Sequence, residues 1–412
     1  FPYTTLFRSA DIYYNKIKKY IQKLKDKNFL GKMNPLDFDI EVLLGTEDEP
    51  DDFSKVTLGT NFEYTYPFIF EKTENEWSNI LSFSWLLGES KPEFSFETGL
   101  KTTIPLAKST AVELHFTQSL IQDFDYMEFE DAFYFVDECG IALPLKIGEI
   151  NYKSLLYTPF TNFTHNWDQD GISSENTDLV GPYIEVGHKI ENENVNWKGN
   201  FRNGWDIEVS QSFIWNFKRQ VLNPKVTGEL TLFKAFKYFA VASSLYGYAM
   251  VEEKENTCGE RLRGILDKEK FKNSEIEALS SQTAIALSLD FPIHILTTDW
   301  LGWSQSLFGT RDSFSLLYKI FEYTDFEIQF SPFTDIALTK NTESGRLFSI
   351  KDGFYTAGFE ILVYPKRWKS FVVRLSSGWD LSRSLLKEYL DTSWRRSETK
   401  KHEIYFGLSL QY

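Results

Sequence analysis

Glu403-Ile404-Tyr405-Phe406-Gly407-Leu408-Ser409-Leu410-Gln411-Tyr412, the last ten residues of the sequence, alternate strictly between apolar and polar. On a strand, successive side chains point to opposite faces, so Ile404, Phe406, Leu408, Leu410 and Tyr412 share one face. Glu403, Tyr405, Gly407, Ser409 and Gln411 share the other. In water the apolar face would need a second protein layer to cover it. A lipid bilayer can serve as that layer. A closed antiparallel barrel with lipid outside and water inside requires this alternation, in strands of about ten residues separated by turns.

Working outward, the same alternation runs through the 412-residue chain. Trp205, Ile207, Val209, Phe213, Trp215 and Phe217 oppose Asp206, Glu208, Ser210, Ser212 and Asn216. Ile285, Leu287, Leu289, Phe291 and Ile293 oppose Ala284, Ala286, Ser288 and Asp290, and Phe371, Val373, Leu375 and Trp379 oppose Arg374, Ser376, Gly378 and Asp380. The second face of each set is expected to line a hydrated lumen, where Arg374 and Asp380 cost little. On the lipid face at mid-depth a charge costs about 2–4 kcal/mol. Period-two segments near 37–44, 56–70, 78–88, 92–105, 111–122, 130–145, 152–164, 181–190, 196–217, 224–236, 238–251, 280–296, 322–339, 353–365, 369–381 and 401–412 predict an all-β, transmembrane antiparallel barrel of about 16 strands. The even count is what a bacterial barrel needs. A two-layer soluble sandwich is the competing reading, and it leaves the terminal strand uncovered.

Composition excludes other classes. Aromatic residues make up 17% of the chain, with 37 Phe, 21 Tyr and 11 Trp. Mean hydropathy is only -0.33, and no apolar run is long enough to span as a helix. A net charge of -15 argues against nucleic acid as a partner, because phosphate binding needs a basic surface. Cys139 and Cys258 have no metal-ligand spacing and read as incidental thiols, with a single bridge as the alternative. The five histidines, His115, His165, His188, His294 and His402, form no HExxH or close metal pair. No nucleophile elbow or phosphate-binding glycine loop is present. No enzyme activity and no cofactor are expected.

Residues 2–9, Pro-Tyr-Thr-Thr-Leu-Phe-Arg-Ser, resemble a translated sequencing adaptor, so 1–9 reads as an artefactual scar. Residues 10–36 carry Ile12, Ile17, Tyr20, Ile21 and Leu24 at roughly helical spacing among Lys16, Lys18, Lys19, Lys23, Lys25 and Lys27. They read as a periplasmic helical lead or linker. The barrel is assigned 37–412. Trp300, Trp303 and Leu307 in 297–321 suggest a short amphipathic helix at the periplasmic rim.

If both ends are periplasmic, the charged connection 252–279 after the eleventh strand is an outer loop, and it contains Cys258-Gly259-Glu260-Arg261-Leu262-Arg263-Gly264-Ile265. Arg263-Gly264 resembles the Arg-Gly-aromatic loop motif of the BamA/TamA superfamily of bacterial surface-antigen assembly barrels, with Ile265 in place of the aromatic. Ser288-Leu289-Asp290-Phe291-Pro292-Ile293, Gln329-Phe330-Ser331-Pro332-Phe333-Thr334-Asp335-Ile336-Ala337 and Tyr355-Thr356-Ala357-Gly358-Phe359-Glu360 resemble the family's following strands, in the family's order. The resemblance covers about 255–412, and no POTRA domain is visible.

The resemblance implies that the loop folds into the lumen, where Arg263 pairs with Asp335 and Asp290; a guanidinium can hold carboxylates with two parallel bonds where lysine cannot. It also implies a lateral seam between first and last strands, weakened by Gly407, that opens into lipid and templates incoming strands by edge pairing. Tyr405-x-Gly407-x-x-Leu410-x-Tyr412 resembles the C-terminal signal by which outer-membrane barrels are recognised. The expected partners are the outer-membrane bilayer, unfolded outer-membrane protein clients, and periplasmic accessory proteins or upstream POTRA domains. The alternative is a passive outer-membrane porin or structural barrel without assembly activity.

Overall fold

The computed structural model describes residues 36–44, 56–66, 74–86, 93–107, 110–122, 133–167, 181–199, 201–251, 257–264, 281–300, 303, 325–340, 345–365, 371–382, 384–390 and 402–410. The expected scar, the helical lead before Leu36 and Tyr412 therefore lie outside the described residues, as does most of 297–321. The described residues form sixteen antiparallel strands: β1 (Leu36–Leu44), β2 (Val56–Tyr66), β3 (Glu74–Leu86), β4 (Glu93–Ala107), β5 (Thr110–Gln122), β6 (Phe133–Ala142 and Leu145–Ile150), β7 (Lys153–Asn166), β8 (Tyr183–Lys198), β9 (Phe201–Asn216), β10 (Val221–Ala235), β11 (Ala240–Met250), β12 (Thr283–Asp290 and Ile293–Thr297), β13 (Phe326–Thr339), β14 (Phe354–Pro365), β15 (Phe371–Asp380) and β16 (His402–Leu410). Each pairs with the next, and β16 pairs with β1, so the sheet closes on itself.

The sheet has eighteen segments because β6 and β12 are each cut once, at Leu143-Pro144 and Phe291-Pro292. Proline has no N–H to give a ladder. The neighbouring residues carry the pairing across both cuts: Leu143 N donates to Pro159 O at 2.9 Å, Phe291 N to Pro332 O at 3.0 Å, and Ala240 N to Pro292 O at 2.8 Å.

At one rim two of the turns are tight. Asn151 and Tyr152, both at positive φ, join β6 to β7, and Gly199 at φ 66° begins the turn from β8 to β9. The ends of β1 and β16 nearest the chain termini lie at this rim too, as an even strand number requires. The long connection between β11 and β12 belongs to the opposite rim. The largest boundary difference from the sequence reading concerns the strand that it ended at 190, with the next begun at 196. In the structure β8 continues through the polar run to Lys198. Asn192 accounts for this: it is buried, donates to Ser154 O at 2.9 Å and accepts from Trp205 Nε1 at 2.8 Å, so the run is held in the ladder and does not turn.

Alternation puts the apolar side chains outside. Phe116, Phe135, Phe163, Val186, Val209, Phe213, Val226, Leu232 and Leu245 are all exposed and all lie on the same face of the closed sheet. Such a girdle is stable only against hydrocarbon. No helix among the described residues is long and apolar enough to cross a membrane.

The inner face is uneven. Along β13 every second residue from Gln329 to Thr339 is buried, whereas Glu191, Glu208 and Glu229 on β8, β9 and β10 remain partly exposed. The closure is also uneven. β1 shares nine residue pairs with β2, and β16 nine with β15, but β1 and β16 share five, from Ile40↔Leu408 to Leu44↔Ile404.

Candidate functional site

The covered part of the lumen wall is where the β11–β12 loop lands. Its described tip, 257–264, starts with a helical turn at Thr257–Glu260 and tightens through Leu262 N to Gly259 O at 3.0 Å. Four consecutive residues then address four different patches of wall. Arg261 meets β10, and Leu262, with no exposed surface, enters an apolar cluster. Arg263 meets β12, β13 and β14, and Gly264 meets β15.

The apolar cluster explains why an inward face carries Ala284, Ala286 and Ala337. Together with Tyr248, Met250 and Phe354 they enclose Leu262 and Cys258. Small residues on β12 and β13 leave the room that the loop fills. Neither cysteine is in a disulfide: Cys258 is buried, and Cys139 lies exposed on the lipid face.

Arg263 is the centre of the site. Its backbone N and Nε both donate to Asp335 Oδ2 at 3.0 Å, and Nη2 donates to Asp335 Oδ1 at 2.7 Å. Nη1 donates to Asp290 Oδ1 at 2.6 Å and to Glu360 Oε1 at 3.4 Å. The guanidinium lies 3.8 Å over the Phe333 ring, and Arg374 Nε stands 3.8 Å from the other oxygen of Glu360. Three carboxylates therefore face two arginines. Asp335 is 1% exposed, so its charge is tolerable only because Arg263 answers it with both fork nitrogens and its amide. Burial alone would lower the Arg263 pKa, but the bonds and charge of Asp335, followed by those of Asp290, outweigh it and raise the pKa. The guanidinium stays charged at every accessible pH.

Gly264 sits at φ 91°, and a Cβ there would lie 2.7 Å from Gly378 C and Trp379 N. Conversely, a Cβ on Gly378 would lie 2.8 Å from Gly264 Cα. The loop backbone thus rests directly on the β15 backbone, which no residue with a side chain allows at either position.

The structure brings Arg263, Gly264, Asp290 and Asp335 together. Gly407 is in β16 opposite Glu41 of β1 and Arg374 of β15, Tyr405 pairs with Leu43, and Leu410 pairs with Phe371. Sequence reasoning did not single out Glu360, Phe333, Gly378 or the Arg261–Glu229 pair. The parity of Asp335, Glu360 and Gly378 on the inward face was the available signal, since all three lie on neighbouring strands.

No family model and no curated protein matches the sequence. Among solved structures, the chain is similar to CdiB from Acinetobacter baumannii, with 10% identity, a TM-score of 0.52, and 92% of this chain and 60% of that one covered. It is similar to CdiB from Escherichia coli, with 8% identity, a TM-score of 0.53, and 92% and 63% covered. It also aligns with BamA from Haemophilus ducreyi lacking POTRA domains 1–3, at 11% identity and a TM-score of 0.48, with 92% and 70% covered. The chain spans about three fifths of the length of the CdiB chains. At these identities the likeness is one of fold. The fold is that of a membrane-spanning β-barrel of the bacterial outer-membrane type.

Proposed function

We propose that this barrel assists the insertion or translocation of outer-membrane proteins, in the manner of the BamA/TamA superfamily, through a lateral seam between β1 and β16. The observation that carries the reading is the loop tip anchored on the lumen wall by Arg263. A passive diffusion pore is served by an open lumen, whereas here a loop is held inside by a buried clamp that includes Asp335, Glu360 and the backbone of β15. The five-pair closure supports the seam, since each missing backbone pair lowers the cost of parting two strands. A parted edge presents free N–H and C=O groups that an incoming strand can pair with. The work is hydrogen-bond exchange at the rim of a sheet and needs no bond-making chemistry. The partners on this reading are the outer-membrane bilayer, unfolded barrel clients, and periplasmic accessory or POTRA domains.

The test uses cysteines at Leu43 and Tyr405, a paired position of the seam, in a chain with Cys139 and Cys258 replaced by Ala. Reconstituted into vesicles, the oxidised protein is expected to lose the ability to fold an unfolded outer-membrane client and to regain it with reductant. Undiminished insertion by the locked barrel would overturn the seam. A large, steady open current in planar bilayers would favour the passive pore instead.

A further inference from the structure

We propose that Arg261 is a second positioning residue of the lumen loop, a releasable latch on the β10–β11 side, while Arg263 is the fixed anchor. The inference rests on the loop as the lumen's plug and not on seam opening, so a seam that proves fixed leaves it standing.

The latch is well formed. Arg261 Nη1 and Nη2 donate to Glu229 Oε1 and Oε2 at 2.7 and 2.8 Å, and the guanidinium lies 4.0 Å over the Tyr246 ring. Ser244 Oγ donates to Glu229 Oε1 at 3.2 Å. Glu229 and Tyr246 are direct cross-strand neighbours, so carboxylate and ring present one planar seat for one planar cation.

What makes it releasable is water. The Arg261 and Glu229 side chains are 33% and 37% exposed, against 1% for Asp335 beneath Arg263. Hydrated ion pairs hold weakly and are screened by salt, while a buried charge stripped of its partner is strongly penalised. The wall around Glu229 adds competition. Glu191, Glu208 and Glu229 stand directly opposite one another across β8, β9 and β10. Like charges in such a row repel. Lys189 serves one end, at 2.6 Å from Glu191 and 3.9 Å from Glu208, and Arg261 serves the other. Opening the latch frees the first part of the tip, with Arg263 and Gly264 still seated.

The chain carries its own reporter. Cys258 lies three residues before Arg261, is not in a disulfide, and has no exposed surface while the tip is docked. With Cys139 replaced by Ala, Cys258 is the sole thiol, and its reaction with a water-soluble maleimide in the folded barrel reads latch opening. Arg261→Gln is expected to speed labelling about tenfold, since an exposed ion pair and an exposed cation–π contact are each worth up to about fivefold. Glu229→Gln, which leaves the cation–π contact in place, should speed labelling by up to about fivefold, and the double substitution should be no faster than Arg261→Gln alone. The swap Arg261→Glu with Glu229→Arg should restore slow labelling, and added salt should speed labelling of the Cys139→Ala parent but not of Arg261→Gln. The temperature at which the folded band is lost in gels should not move, which separates a latch from general loosening.

Labelling that is unchanged by Arg261→Gln, or that rises only together with a fall in that temperature, overturns the proposal. If the substituted chains fail to fold, the salt dependence of Cys258 labelling in the Cys139→Ala parent decides it, and salt-insensitive labelling counts against the latch.

Discussion

Arg261 and Arg263 are two positions apart on one loop, carry the same guanidinium and each meet carboxylates on strands of the same barrel. One ends in a partly exposed pair with Glu229, the other in a clamp on the buried Asp335 and Glu360 and the partly exposed Asp290. The difference lies in the walls. β10 faces a hydrated lumen beside Glu208, whereas the inward residues of β13 are covered from Gln329 to Thr339. The lesson is that the strength of an ion pair is set by what surrounds it, and the strength of these two is set by the strand on which each arginine lands.

The comparison is broken most directly at its strong end. Arg263→Ala strands three carboxylates with only Arg374 nearby, and its expected cost is about 3–5 kcal/mol in thermal or urea stability followed by heat-modifiable gel mobility. An unshifted midpoint would put the clamp on the same footing as the exposed pair. Next, Asp335→Asn keeps the shape and removes the charge, and the loss of hydrogen bonds to a charged group is expected to cost about 1.5–3 kcal/mol in the same assay. The smallest effect belongs to the open wall: Glu208→Gln, the equivalent change on a half-exposed inward carboxylate, should stay within about 0.5 kcal/mol. Equal shifts for Asp335→Asn and Glu208→Gln would erase the distinction between the walls.

Much of this was legible in the residues. Alternation in Trp205–Phe217 and in Ile285–Ile293 fixes which side chains face outward, and the number of such segments gives sixteen strands. The prolines at 144 and 292 interrupt two strands without ending them, because Pro159, Pro332 and Ala240 on adjacent strands supply the missing partners; that is invisible along one strand. The run Glu191–Val195 read as a connection for a similar reason, since the bonds of Asn192 to Ser154 and Trp205 that keep it extended come from elsewhere in the sheet. In the site, Arg263, Asp290 and Asp335 were named through a resemblance. Glu360, Gly378 and Glu229 were not named, because nothing in their own segments distinguishes them from other inward residues.

By itself, then, the sequence determined the two faces of every ribbon, since side-chain parity is a local property of an extended backbone. It thereby also determined that the ribbons must close in lipid. Tertiary structure alone decided which inward carboxylate each loop arginine meets and that Gly264 rests on Gly378. Those meetings join residues far apart in the chain, and their distances and burial exist only once the ring is closed.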